Sequence, residues 1–182
     1  NVTAGIIKDS GMTIGNYGSS HLVQTGGTVS INGTLKLASQ TGSEGTYTLN
    51  GGTLEATTLT TGNGTAVYNF NSGTVDVSTF AKPITNSGST IQVRSTTSAT
   101  DFNNASGTLK LGIQGNSTSD LFDVSGTFTA GDTLEVTLDN GYIPSTENYY
   151  SWDVIDWGTL SGTFSTVTLP SLTSGLAWDT SA

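Results

Sequence analysis

Apolar and polar residues alternate along this chain in short runs, and Gly, Asn and Ser separate the runs. In Thr74-Val75-Asp76-Val77, Val75 and Val77 share one face, and Thr74 and Asp76 share the other. Thr108-Leu109-Lys110-Leu111 repeats the pattern, and Thr133-Leu134-Glu135-Val136-Thr137-Leu138 extends it. A period of two marks strands whose two faces see different surroundings. No stretch long enough for a helix carries an apolar face at helical spacing without a Gly or β-branched interruption. The chain is expected to be all-β.

One phrase recurs: small-Gly-Thr-apolar-x-apolar. Its copies centre on Thr28, Thr53, Thr74, Thr108, Thr127 and Thr163, which stand 25, 21, 34, 19 and 36 residues apart. The first two intervals fit one coil of about 20–25 residues in a repeat stack. The longer intervals leave room for an insertion or for a coil that lacks the phrase. A second strand often leads into the phrase: residues 45–50 run into Gly51-Gly52, and residues 66–71 into Ser72-Gly73. Two architectures use these words. In a parallel β-helix each coil buries one apolar stripe under the next. In an antiparallel β-sandwich, Asn-Gly and Gly-Gly are hairpin turns. Recurrence of the whole phrase, and not of turns alone, favours the β-helix.

The last third reads differently. Ser151-Trp152-Asp153-Val154-Ile155-Asp156-Trp157 is the most apolar text, and all three Trp lie beyond position 150. Residues 1–119 are therefore read as solenoid repeats, and residues 120–182 as terminal coils with a β-rich cap. A stack needs its last stripe covered.

Composition sharpens the picture. Hydrophobic residues are 34% and charged residues 10%, with 24 Gly, 34 Thr and 23 Ser. A thin core closed between opposed stripes needs few apolar residues. The net charge of -9, from 14 acidic and 5 basic residues, repels nucleic acid and anionic membrane surfaces. No apolar run is long enough for a membrane-spanning helix. The absence of Cys excludes disulfides, thiolate metal sites and cysteine nucleophiles. The opening Asn1-Val2-Thr3 reads as strand text, as expected of a mature product or an excised fragment.

Three passages carry a resemblance: Gly45-Thr46-Tyr47-Thr48-Leu49-Asn50-Gly51-Gly52-Thr53-Leu54, Gly158-Thr159-Leu160-Ser161-Gly162-Thr163-Phe164, and Gly175-Leu176-Ala177-Trp178-Asp179-Thr180-Ser181. Together they resemble the autotransporter-associated β-strand repeat proteins and related bacterial surface proteins with a PEP-CTERM sorting tail. The resemblance covers most of the chain. It implies a right-handed parallel β-helix on a secreted or surface-displayed protein, and it brings no catalytic residues with it.

The chemistry on offer is sparse. His21 is the only histidine; Ser19, Ser20 and Asp9 are near it in sequence, but no Gly-x-Ser-x-Gly elbow is present. Carboxylate pairs occur at Asp120/Asp123, Asp132/Glu135, Asp153/Asp156 and, in equivalent places of two repeats, Glu55/Asp76. Such pairs suit glycan cleavage or calcium, but Lys110 takes the acidic place in a later repeat. Tyr142, Tyr149, Tyr150 and Trp152 form a candidate glycan-stacking platform in a Pro-bounded stretch; the same residues are equally good core text. Tyr47, Tyr68 and Phe70 precede the repeat turns. Thr-x-Thr pairs, as at Thr46/Thr48 and Thr58/Thr60, do not recur at one register.

The function expected is a structural or adhesive segment without catalysis or cofactor. A carbohydrate-binding module is the alternative, and a glycan-cleaving enzyme the third reading. Partners would be extracellular polysaccharide, other surface proteins, or a second copy stacked end to end.

Overall fold

Thr, Val and Ile crowd the runs between turns, and their branched side chains suit a pleated surface. The computed structural model describes residues 1–179, so Thr180 and Ser181 of the closing phrase lie outside the described residues. These residues form strands and no helix. In chain order the strands are β1 (Ile6–Asp9), β2 (Met12–Ile14), β3 (Ser19–Gln24), β4 (Thr28–Leu37), β5 (Glu44–Thr61), β6 (Thr65–Phe80) and β7 (Ile84–Gln92). They continue as β8 (Thr96–Ala99), β9 (Phe102–Gly115), β10 (Thr118–Ser119), β11 (Leu121–Ala130), β12 (Thr133–Leu138), β13 (Ile155–Gly162) and β14 (Thr166–Thr168).

The strand pairs are parallel except for the β9–β10 hairpin. They align in three rows. The first runs Ile7, Val29, Leu54, Val75, Ile91, Leu109, Leu134, Val167, each the direct partner of the next. The second runs Met12, Leu35, Leu59, Phe80, Ala99, Val124, Trp157. The third runs Gln24, Leu49, Phe70, Asn86, Asn104, flanked by Leu22–Tyr47–Tyr68 and Ile84–Phe102–Phe128–Leu160. Long strands such as β5 and β6 bend through corners and serve all three rows. As a result β6, β8, β11, β9 and β7 close a ring of five parallel strands, with the others outside it.

The antiparallel sandwich is thereby overturned. Thr28, Thr53 and Thr74 pair in parallel, and β5 runs on through Gly51-Gly52 with only a register shift between Asn50 and Thr53. The Gly pair makes a corner and does not reverse the chain. The 34-residue interval of the phrase is also explained. Thr90 pairs with both Thr74 and Thr108, so an extra pass lies there, with Ser89 in place of Gly. The Thr127 copy belongs to another row, paired with Thr159, and Thr163 lies between β13 and β14.

Alternation fills the interior. Val29, Leu54, Val75, Ile91 and Leu109 are fully buried, while the Thr residues before them are half-buried on the outer side. In the later passes Phe80, Phe102, Phe122, Phe128 and Phe164 form a run of ring contacts at 4.9–6.3 Å. The corner before each Thr is crowded. At Gly52 (φ 84°) a Cβ would stand 2.3 Å from the Gly27 carbonyl oxygen, and at Gly73 (φ 96°) 2.6 Å from that of Gly52. One glycine thus rests on the next.

Three buried amides serve the same corner. The Asn86 Nδ2 donates to the Ser89 carbonyl (2.9 Å) and to Asn104 Oδ1 (2.8 Å), and Asn86 Oδ1 accepts from the Ser89 N–H (3.0 Å). Asn104 Nδ2 donates to the Gly131 carbonyl at 2.6 Å. Gln24 Nε2 donates to the carbonyls of Gly27 and Thr53 and its Oε1 accepts from the Tyr47 hydroxyl. In this way the buried amides spend their own polar atoms on corner backbone groups and on each other.

In urea denaturation, Leu54→Ala is expected to cost about 2–5 kcal/mol. Gly52→Ala is expected to cost at least about 1–3 kcal/mol through backbone strain. The outward Glu55→Ala should stay within about 0.5 kcal/mol. Equal losses at positions 54 and 55 would contradict this inside–outside assignment.

Candidate functional site

Where the chain passes from the first row to the second it normally needs few residues, as between Ile31 and Thr34 in β4. The later passes lengthen this step. The β9–β10 hairpin leaves there, then residues 139–154 between β12 and β13, then residues 169–179 after β14. Because the three excursions leave at one corner on successive passes, they meet beside the stack. The Trp152 indole N–H donates to the Gly115 carbonyl at 2.8 Å, and the Tyr142 hydroxyl donates to Asn116 Oδ1 at 2.9 Å. The Ser119 hydroxyl donates to the Asp153 carbonyl at 3.2 Å, and the Trp178 indole N–H to the Pro170 carbonyl at 2.8 Å.

Trp152 is the hub of this lobe. Tyr150 stacks on it (centroids 5.6 Å apart, planes at 28°), Tyr142 meets it edge-on at 6.3 Å, and Trp178 tilts against it at 6.1 Å. Three of the four candidate platform residues are brought together. Tyr149 stands apart from the cluster, fully exposed. The Trp152 indole N–H is engaged inside the lobe, whereas Tyr149 is the most exposed of the four. The text expected to close the stack thus divides. Trp152 and Trp178 pack sideways, and Trp157 ends the second row 47% exposed. The register offset between passes, 18 residues at Thr90–Thr108, widens to 25 at Thr108–Thr133 and 33 at Thr133–Thr166 as the excursions are added.

The remaining candidates are mostly committed to structure. Tyr47 is fully buried, and the Tyr68 hydroxyl donates to the Thr60 carbonyl at 2.8 Å; burial pushes both phenols well above their ordinary value. His21 is exposed on β3 beside Thr46, and the Ser19 hydroxyl donates to Glu44 at 2.6 Å. Asp120 is buried and accepts from the N–H groups of Ser95 (2.7 Å) and Gly112 (2.8 Å) and from Gln114 (3.0 Å). Asp132 accepts from the Gly107 N–H, and Asp101 from that of Thr127. These carboxylates cap corners. Asp153 differs: burial first, and the neighbouring Asp156 second, raise its carboxyl above the ordinary value.

Glu55 and Asp76 are direct register partners, as their places in the repeat suggest. With Ser30, Asn32 and Thr57 they line a shallow depression, but Asp76 is ion-paired with Arg94. Lys110 pairs with Glu135 at 2.7 Å. A second depression is lined by Pro83, Thr85, Asp101, Asn103, Thr127 and Thr129. Among the described residues no group of three or more His, Asp and Glu is placed to hold a metal ion. The outer side of the first row carries an unforeseen feature. Thr28, Thr53, Thr74, Thr90, Thr108, Thr133 and Thr166 form one in-register column. Beside it runs a mixed polar column: Lys8, Ser30, Glu55, Asp76, Gln92, Lys110, Glu135, Thr168.

No family model, curated protein or solved structure matches the chain.

Limited proteolysis tests the lobe. Trp152→Ala is expected to speed cleavage within residues 139–154 while the main unfolding transition stays nearly in place; Tyr149→Ala should change neither. A Trp152→Ala transition lowered as far as that of Leu54→Ala would show that the lobe is part of the main core.

Proposed function

We propose that the chain is a stretch of right-handed parallel β-helix and that its work is architectural. It is a non-catalytic structural or adhesive segment of a secreted or surface-displayed bacterial protein. The observation that carries this reading is the continuity of the three rows, with one residue per pass in direct register from Ile7 to Val167. A chain that returns to the same three rows in parallel winds as a coil, and parallel crossovers are right-handed because strands twist that way. On this reading the five-strand ring is a product of strands that bend round corners.

Residues 1–119 supply repeat coils, and residues 120–179 supply the terminal coils and, with the β9–β10 hairpin, the aromatic lobe. Each coil contacts only its neighbours, so load passes along a series of similar units. The resemblance to autotransporter-associated repeat and PEP-CTERM proteins points to the same setting. The Thr column and its mixed-charge neighbour offer a hydrated, nearly neutral strip to extracellular polysaccharide or neighbouring surface proteins. The net charge of -9 opposes nucleic acid.

Pulled from its two ends in an optical trap, the chain is expected to unravel in steps of about 70–90 Å, the extended length of one coil. Incubated with neutral and acidic polysaccharides, it is expected to release no reducing ends. One rip of the whole chain would contradict the serial coil, and release of reducing ends would contradict the non-catalytic role.

A further inference from the structure

The depression beside Asp101 and Asn103 lies on the outer side of the third row, with passes on both sides of it. Ile84, Phe102 and Phe128 are register partners and are buried, so the residues flanking each of them point outward. Three successive passes thus set out a grid: Pro83, Asp101 and Thr127 in one column, and Thr85, Asn103 and Thr129 in the next. At ordinary strand spacings the grid measures about 10 Å by 7 Å. The depression holds about 160 Å³. Pockets for drug-sized ligands start at about 300 Å³. This one suits a single ring of a longer molecule.

Its polar groups are free. Asp101 Oδ1 accepts from the Thr127 N–H at 2.7 Å. Asp101 Oδ2, the Asn103 amide and the hydroxyls of Thr85, Thr127 and Thr129 have no partner among the described residues. Elsewhere on the outer surface such groups bond to each other. In the same column Asn69 Nδ2 donates to the Thr48 hydroxyl at 3.2 Å, and the Thr79 and Ser98 hydroxyls lie 3.2 Å apart.

We propose that this depression is a subsite for one uncharged sugar ring of an extracellular polysaccharide. Asn103 and the three threonines hydrogen-bond the sugar hydroxyls, and Asp101 turns acidic sugars away. The inference deepens the adhesive reading above and rests on it for the setting. Three observations select this ligand. First, a pyranose carries hydroxyls that both donate and accept, and an amide beside three hydroxyls answers both needs. Second, the one charged group lining the depression is Asp101. Its free oxygen accepts from a sugar hydroxyl but repels a carboxylate or sulfate, and the net charge of -9 adds to that repulsion. Third, the column continues uncharged on either side, through Asn69 and Thr48 in one direction and Ser161 in the other. The neighbouring units of a glycan chain therefore have a neutral surface to lie on. A contact with so few atoms predicts a Kd of about 1–10 mM.

NMR titration of the whole chain tests the proposal, with trimers of glucose, of mannose and of galactose, and of galacturonic acid as the acidic counterpart. At least one neutral trimer is expected to shift the Asn103 side-chain amide and the backbone amides of Thr85 and Thr129, and to saturate. The galacturonic acid trimer should bind about tenfold more weakly or not at all. Asn103→Ala and Thr129→Val should each weaken the neutral trimer about tenfold while the urea transition stays in place. Asp101→Asn keeps an oxygen for the Thr127 N–H and should narrow the gap between neutral and acidic trimers. The subsite is overturned if no neutral trimer binds, if the acidic trimer binds as well as the neutral ones, or if Asp101→Asn leaves the gap unchanged. It is also overturned if the shifts fall on the Thr column of the first row or around Tyr149, which would move the glycan contact to another face. Release of reducing ends by a chain that shows the expected shifts would instead refute the non-catalytic reading and leave the subsite standing.

Discussion

Burial here is lent by the neighbouring pass. Val75 is fully buried because Leu54 lies on one side of it and Ile91 on the other. Val167 occupies the same column with a neighbour on one side, and it is half exposed. The side chain is the same and only the stacking differs. A chain of 34% hydrophobic residues can fold this way because each apolar residue covers two others. It also follows that no single pass is stable alone.

The corners make this stacking possible. The glycine before each early Thr lets one backbone rest on another, as Gly52 rests on Gly27 and Gly73 on Gly52. Where the glycine is replaced, side chains take over. Asp132 holds φ 49° in the place of the corner glycine and accepts the Gly107 N–H. Asn86 and Asn104 do similar work from the inside. Much of what looks like chemistry in the sequence is therefore corner engineering. Asp101, Asp120 and Asp132 each hold a backbone N–H group at a corner.

The strands were legible because alternation is a local property. Val75 with Val77, and Leu109 with Leu111, are buried as their spacing requires. The repeat was legible at Thr28, Thr53 and Thr74, where the corner keeps its glycine. It was hidden at Thr90, where Ser89 serves, and misplaced at Thr127 and Thr163, because Gly-Thr suits more than one corner. The inner amides were illegible for a related reason: a polar residue in an alternating run reads as outward-facing. The meeting of Tyr142, Tyr150 and Trp152 could be expected from their closeness in sequence. The separation of Tyr149 could not, nor could the lobe itself. That lobe depends on which corner each excursion leaves, and this phase accumulates over the whole chain.

Successive passes stand in parallel register, and disulfide trapping reads that register in solution, since the chain has no cysteine of its own. Parallel neighbours lie about 4.8 Å apart, within reach of a disulfide, whereas residues two passes apart are about 10 Å apart and beyond it. Ser30→Cys combined with Glu55→Cys is predicted to oxidise rapidly and completely in the native chain, and Ser30→Cys combined with Asp76→Cys to stay reduced. Equal oxidation of the two pairs, or trapping of only the second, would contradict the parallel register of successive passes.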